Sequence, residues 1–332
     1  MLNSQEKREL GRLAMWQYRE VPAGYRRVSL FLQRGGRTMD PSTLEAVFTR
    51  MLPLDAAPEF TLEVRGLEHR DHCLLFEQAR TLAQNNFPGR CRWRVFLDQA
   101  GLKAGLFQAL ESHPRSLFLH LGGAADIEIP PLSGASAEAE ILLVPEGVTQ
   151  AVPLARELLL AGYAPVSVEP DPRPDWSADD LERLEHMYFS LESMRGFFRE
   201  QGFSITGRGW ICRSDGPPGP VPHCRAGAET CAVDVDGLIY PCARFAGGDQ
   251  YHGVGDAHTG LWFNQLKKFA NYHPGRNRSC GGGSPCHEDG PCQGGCAWAN
   301  LLHSPNMMDG QGTICRARRA WAKARHLLRE AE

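Results

Sequence analysis

Between Cys224 and Cys315 the chain carries eight of its eleven cysteines, at positions 224, 231, 242, 280, 286, 292, 296 and 315. Around the later ones stand Gly281, Gly282, Gly283, Gly290, Gly294 and Gly295. Glycine has no Cβ, so loops of this composition can fold tightly enough for several thiolates to meet at one centre. Eight thiolates are also what two four-cysteine centres require, and all-sulfur tetrahedral sites belong to zinc or iron–sulfur. The segment therefore reads as a double metal site.

Four disulfides would use the same number of cysteines, but such frameworks are typical of small secreted domains. The polar opening Met1-Leu2-Asn3-Ser4-Gln5-Glu6-Lys7-Arg8 holds no apolar signal region. No uninterrupted apolar run reaches the roughly 20 residues of a membrane span. The expectation is a cytoplasmic protein, where clustered cysteines are metal ligands rather than bridges. Zinc fingers and ribbons use pairs two to four residues apart. This segment has no CxxC, and its wider spacing favours iron–sulfur over zinc. A formal net charge of −3 offers neither nucleic acid nor membrane an electrostatic footprint. Arg316, Arg318, Arg319, Lys323, Arg325 and Arg329 gather near the C-terminus and read as a solvated helix face.

At 332 residues the chain has room for about two domains. Residues 4–19 have helical apolar spacing, and Pro22 with Gly24 closes that helix. Strands are then expected at residues 28–32, 60–64, 93–97, 116–121, 141–144 and 165–169. Helices are expected between them, near residues 41–51, 73–83, 102–112, 152–161 and 177–200. Asp40 followed by Pro41 is an N-cap with proline at the first helical position, and Ser177 with Asp180 resembles a capping box. Strands alternating with helices imply a parallel sheet. Six such units fall short of a closed eight-fold barrel. The expected fold is thus α/β, an open or partial (β/α)6 barrel. The glycine- and proline-rich residues 207–223 read as a linker. Beyond them, Asp236-Gly237 within Val233–Tyr240 fits a two-residue type I′ hairpin turn, bringing Cys231 and Cys242 together.

Three runs carry a family resemblance: Cys224-Arg225-Ala226-Gly227, Val235 through Phe245, and Cys292-Gln293-Gly294-Gly295-Cys296. They resemble the SPASM domain of radical SAM enzymes that modify ribosomal peptides and proteins. That signature has a glycine five residues before its second signature cysteine, as Gly237 precedes Cys242, and ends on an isolated cysteine, here Cys315. One spacing departs from it. Cys280 and Cys286 enclose five residues, Gly281-Gly282-Gly283-Ser284-Pro285, where the family usually has two. The resemblance implies two auxiliary 4Fe–4S clusters, one held by Cys224, Cys231, Cys242 and Cys296, the other by Cys280, Cys286, Cys292 and Cys315. It implies an N-terminal helix (residues 1–24), a radical-SAM-like partial barrel (25–206), a linker (207–223) and a SPASM domain with a terminal helix (224–332). His223 and His287 adjoin proposed ligands and are candidates to donate to cluster sulfurs. Trp262 and Trp298 read as packing residues.

Upstream, Met39–Leu44 and Val95–Leu102 resemble segments of the radical SAM barrel, but its defining motifs are missing. The C-x3-C-x2-C that follows the first strand is replaced by Gln33-Arg34-Gly35-Gly36-Arg37-Thr38. The glycine-glycine-glutamate-proline stretch after the second is replaced by Val64-Arg65-Gly66-Leu67-Glu68-His69. Cleaving SAM needs an iron with only three protein thiolates. The remaining Cys73, Cys91 and Cys212 lack that spacing and read as small buried apolar residues. No SAM is expected. Arg34-Gly35-Gly36-Arg37 reads as a shortened loop rather than an anion cradle, and Asp71-His72-Cys73 as a solvated turn rather than a nucleophilic site.

The preferred reading is an accessory iron–sulfur subunit, itself no SAM-cleaving enzyme, that pairs with an active radical SAM enzyme as scaffold, peptide binder or electron carrier. Two alternatives stand beside it: a stand-alone redox enzyme using an auxiliary cluster, and a structural zinc protein.

Overall fold

The computed structural model describes residues 24–69, 71–111, 116–122, 128–132, 137–206, 210–213, 226–248, 250–270, 296–305, 307 and 320. The expected helix at residues 4–19 lies outside these, as does the expected terminal helix at residues 314–329 apart from residue 320, and as do Cys224, Cys280, Cys286, Cys292, Cys315, His223 and His287. The chain forms two compact units, one of residues 1–115 with 224–272 and the other of 116–223 with 273–332.

The first unit opens with β1 (Tyr25–Phe31), a small hairpin of β2 (Gln33–Arg34) and β3 (Arg37–Thr38), and α1 (Pro41–Ala46). Helix α1 passes through a π-helical turn, Val47–Met51, into α2 (Leu52–Asp55), and β4 (Ala56–Arg65), α3 (His72–Asn86) and β5 (Cys91–Asp98) follow. Two short helices, α4 (Gln99–Lys103) and α5 (Leu106–Glu111), complete this stretch. The second unit supplies β6 (Ser116–Gly122), β7 (Ala137–Leu143), α6 (Ala151–Leu160), β8 (Val166–Pro170), α7 (Ala178–Ser193), α8 (Arg195–Glu200), β9 (Phe203–Thr206) and β10 (Trp210–Arg213). The chain then returns to the first unit as β11 (Thr230–Val233), β12 (Leu238–Tyr240), β13 (Gly255–Asp256), β14 (Gly260–Leu261) and α9 (Phe263–Ala270). Helix α10 (Ala297–His303) belongs to the second. All six expected barrel strands are present. Trp210–Arg213, inside the stretch read as a linker, is a strand paired antiparallel with β8 and β9.

In the first unit the strands run β14-β13-β12-β11-β1-β4-β5. Strands β11, β1, β4 and β5 are mutually parallel, while β12, β13 and β14 add antiparallel edges. In the second unit β6, β7 and β8 are parallel, and β10 and β9 extend them antiparallel.

Alternation along the strands shows which face is core. Val28, Leu30, Leu62, Val64, Val95 and Leu97 are buried and share one face. Phe76 of α3 meets Trp93 edge-on at 5.7 Å on that face, and Phe60 meets Phe87 at 5.3 Å. The other face carries Arg27, Ser29, Glu63, Arg65 and Arg94 in the same strands. Parallel strands covered on both faces read as unbroken apolar runs. These do not, so one face of the sheet is kept polar.

The caps are as expected. Asp40 Oδ1 accepts from the backbone N–H of Ser42 and Thr43 at 2.9 and 3.0 Å, and both hydroxyls donate to its carboxylate. Ser177 and Asp180 form a reciprocal capping box. The expected type I′ turn at Asp236-Gly237 is not the one formed. Gly237 N–H donates to Asp234 O at 2.9 Å, so the turn centres on Val235-Asp236 and leaves Gly237 in a left-handed conformation, φ +86°. This is a three-residue loop with a glycine bulge. The reason is steric: a type I′ turn would force positive φ on Asp236, whereas this loop asks it only of glycine. Two adjacent residues at positive φ occur instead at Gly35 and Gly36, joining β2 to β3.

Asp40→Ala is expected to cost about 1 kcal/mol in urea unfolding, the usual worth of a helix N-cap. The hydroxyls and amides that Asp40 accepts hold its carboxyl well below the ordinary range. The cap's contribution is therefore present above that range and lost as pH falls below it, and the variant's acid unfolding limb is expected to lack it.

Candidate functional site

The polar face of the first unit is built around Glu63. Parallel register sets Ser29 beside Glu63 and Glu63 beside Arg94. Ser29 Oγ donates to the Glu63 carboxylate at 2.6 Å, and Arg65, Arg27 and Arg94 approach it at 3.4, 3.5 and 3.8 Å. Burial pushes the Glu63 carboxyl upward, but Arg65, Arg27, the Ser29 hydroxyl and Arg94 outweigh it and hold the group below its ordinary value. Glu63 is an anion shared by three guanidiniums. Arg65 also lies 3.5 Å over the Phe96 ring, a cation–π contact.

At the C-terminal end of β1 stands the β2–β3 hairpin, in the stretch where the radical SAM resemblance implies three cysteines. Residues 32–40 contain none. Arg34 reaches the buried Asp234 carboxylate at 3.9 Å and covers the Phe31 ring at 4.7 Å. Arg37 reaches Asp236 at 3.8 Å. Two glycines let the chain close here. A Cβ on Gly66, at φ +77°, would sit 2.0 Å from the Gln33 carbonyl oxygen, and one on Gly247, at φ +70°, 2.4 Å from the Arg34 guanidinium. The short loop is therefore an arginine hairpin tied by ion pairs to the turn between β11 and β12.

The β4–α3 connection departs from expectation. His72 is buried rather than solvated, and its Nδ1 accepts from the backbone N–H of Glu68 and His69 at 3.2 and 3.1 Å. Burial, then His69, lowers its pKa, so the neutral imidazole that can accept both bonds is the form held. His72 organises this turn rather than serving a nucleophile. Cys73 and Cys91 are half-buried rather than fully buried as expected, and burial pushes the Cys91 thiol up to about 12. Cys212 lies on β10.

Three proposed cluster ligands fall among the described residues. Cys231 is buried on β11, in register with Val28 of β1. Burial, then the Asp55 carboxylate, pushes its thiol well above the ordinary value, so its thiolate needs a cation for company. Tyr25 is buried beside the same groups and is likewise raised. Cys242 follows β12, where Ala232↔Tyr240 pairing brings the two cysteine-bearing segments side by side. The ladder stops at Tyr240, so the bend at Pro241-Cys242, and not strand alternation, sets where Cys242 points. Cys296 caps α10 in the other unit. Among the described residues no group of three or more His, Cys, Asp or Glu side chains could hold a metal, five of the eight cysteines lying outside them. Trp262 is 41% exposed, more open than a packing role predicts, while Trp298 is half-buried.

The second unit has its own polar row. His120 Nδ1 lies 3.1 Å from Glu140 Oε2, and Glu140 is in register with the buried Ser167. Neither this row nor the Glu63 cluster was singled out from sequence. The available signal was the charge at alternate positions of otherwise apolar strands.

The arrangement of strands and helices is that of the radical SAM/SPASM fold. Solved structures of native anSMEcpe with bound AdoMet and the Cp18Cys peptide match at TM-score 0.59 and 12% identity, covering 92% of this chain and 98% of that one. A polyhistidine-tagged anSMEcpe with bound AdoMet matches at 0.60 and 11%, again over 92% and 98%. No protein-family model and no curated protein matches the sequence. The expected α/β class, with its parallel sheet, is thus the observed one. Among the described residues no helix is long and apolar enough to cross a membrane.

Glu63→Gln is expected to destabilise the chain by about 3 kcal/mol in urea unfolding, because it strands guanidiniums around a neutral amide. The Glu63 contribution is present above the ordinary glutamate range and lost as pH falls through its lowered value, so the variant is expected to lose stability less steeply in acid than the parent.

Proposed function

We propose that this chain is an iron–sulfur accessory protein of the radical SAM/SPASM type that does not itself cleave SAM. It acts with an active radical SAM enzyme in modifying a peptide or protein, as scaffold, peptide binder or electron carrier. One observation carries the reading: the loop after β1 is a cysteine-free hairpin, closed onto Asp234 and Asp236 by Arg34 and Arg37. A site that opens SAM needs an iron with three protein thiolates there, and ion-paired arginines hold no iron. The anSMEcpe neighbours carry AdoMet and a peptide on the same fold, which supports peptide modification as the setting.

Cys224, Cys231, Cys242 and Cys296 would hold one 4Fe–4S cluster, and Cys280, Cys286, Cys292 and Cys315 the other. The buried Cys231 suits this role, since a thiolate there is tolerable only beside positive charge. With four cysteines apiece, both clusters would be closed to substrate and suited to electron transfer or bracing.

Anaerobically purified protein is expected to carry about eight irons, as two cubanes imply. With dithionite and SAM it is expected to release no 5′-deoxyadenosine, and to copurify with a radical SAM enzyme when the two are coexpressed. Release of 5′-deoxyadenosine by the chain alone would overturn the reading, and zinc in place of iron would make it a structural protein. Cys296→Ala and Cys315→Ala are expected to remove different clusters by electron paramagnetic resonance.

A further inference from the structure

The Glu63 cluster holds more positive charge than it consumes. Arg27 and Arg65 share the one Glu63 carboxylate, so these two guanidiniums alone leave one positive charge in excess, before Arg94 is considered. Arg65 is the more deeply buried of the pair. Its hydrogen bond to Glu63 is long, at 3.4 Å, and its Nε is sealed from solvent with no acceptor among the described residues. Leaving a buried donor without an acceptor is unfavourable, because its water is lost and nothing replaces it. Protein interiors keep such groups mainly where something else completes them. The guanidinium also lies 3.5 Å over the Phe96 ring, a contact that restrains it before any ligand arrives. The Arg65 side chain as a whole remains 21% exposed, and that of Arg27 39%.

We propose that the polar face of β1, β4 and β5 is a carboxylate-binding site, in which Arg65 is the principal donor, Arg27 adds charge, and Glu63 and Phe96 hold Arg65 in place. A planar carboxylate matches the two-pronged guanidinium. The carboxylate comes from an acidic peptide side chain or from a small free acid. The site rests on the geometry of the first unit alone, so it stands or falls independently of cluster loading and of the accessory role.

The test uses the full chain labelled with 15N-arginine, titrated with Gly-Gly-Glu-Gly-Gly, its Gln counterpart, and glutarate. The Glu peptide is expected to shift the Arg65 Nε–H resonance and to bind at least tenfold more tightly than the Gln peptide, with Arg65→Gln abolishing the difference. Saturation by glutarate as tight as by the Glu peptide assigns a small acid, and weaker saturation assigns a peptide. Both outcomes support the site. Equal binding of the Glu and Gln peptides overturns it, as does unchanged Glu-peptide binding by an Arg65→Gln protein with native circular dichroism. If Arg65→Gln does not fold, Arg27→Gln replaces it, with a several-fold loss of Glu-peptide affinity expected and unchanged affinity counting against the site.

Discussion

Strand β1 lies between β4 and β11, parallel to both, and that pairing sets the geometry of each chemical region of the first unit. On one side it puts Ser29 against Glu63 and so starts the carboxylate–guanidinium cluster. On the other it puts Val28 against Cys231 and so brings the cysteine-rich segment into the sheet. Slipping either register by one residue would exchange the apolar and polar faces of the strand. The buried Val28 and Leu30 forbid that, since the slip would put Arg27 and Ser29 into the core.

The second organising feature is the arginine hairpin. Arg34 and Arg37 join the end of β1 to the turn between β11 and β12, two parts of the chain about 200 residues apart in sequence. Neither ion pair is close, and the Arg37–Asp236 pair is well exposed, a kind worth about 0–1 kcal/mol. Their importance is positional. Together with the glycines at 66 and 247 they close the chain at the end of β1.

Much of the fold was legible because its signals are local. The caps at Asp40 and Ser177 depend on residues two or three positions away, and the six barrel strands announce themselves by β-branched and aromatic runs. The hairpin at Asp236-Gly237 was read in the right place with the wrong turn, because one-residue shifts of a turn depend on which residue must take positive φ. Nothing in Asp71-His72-Cys73 tells that the His72 ring folds back onto the amides of Glu68 and its neighbour His69, so the triplet by itself looks solvated.

The amino-acid sequence by itself determined the α/β class, the order of strands and helices, and the absence of cysteine after β1, because these follow from residue type and short-range spacing. Only the tertiary structure decided that Arg27, Glu63, Arg65 and Arg94 meet, that β11 pairs beside β1, and that Arg34 and Arg37 close on Asp234 and Asp236. Apart from Glu63–Arg65 within β4, those contacts join segments tens to hundreds of residues apart. Charge–charge attraction has no sequence period, so only the folded chain brings these groups together.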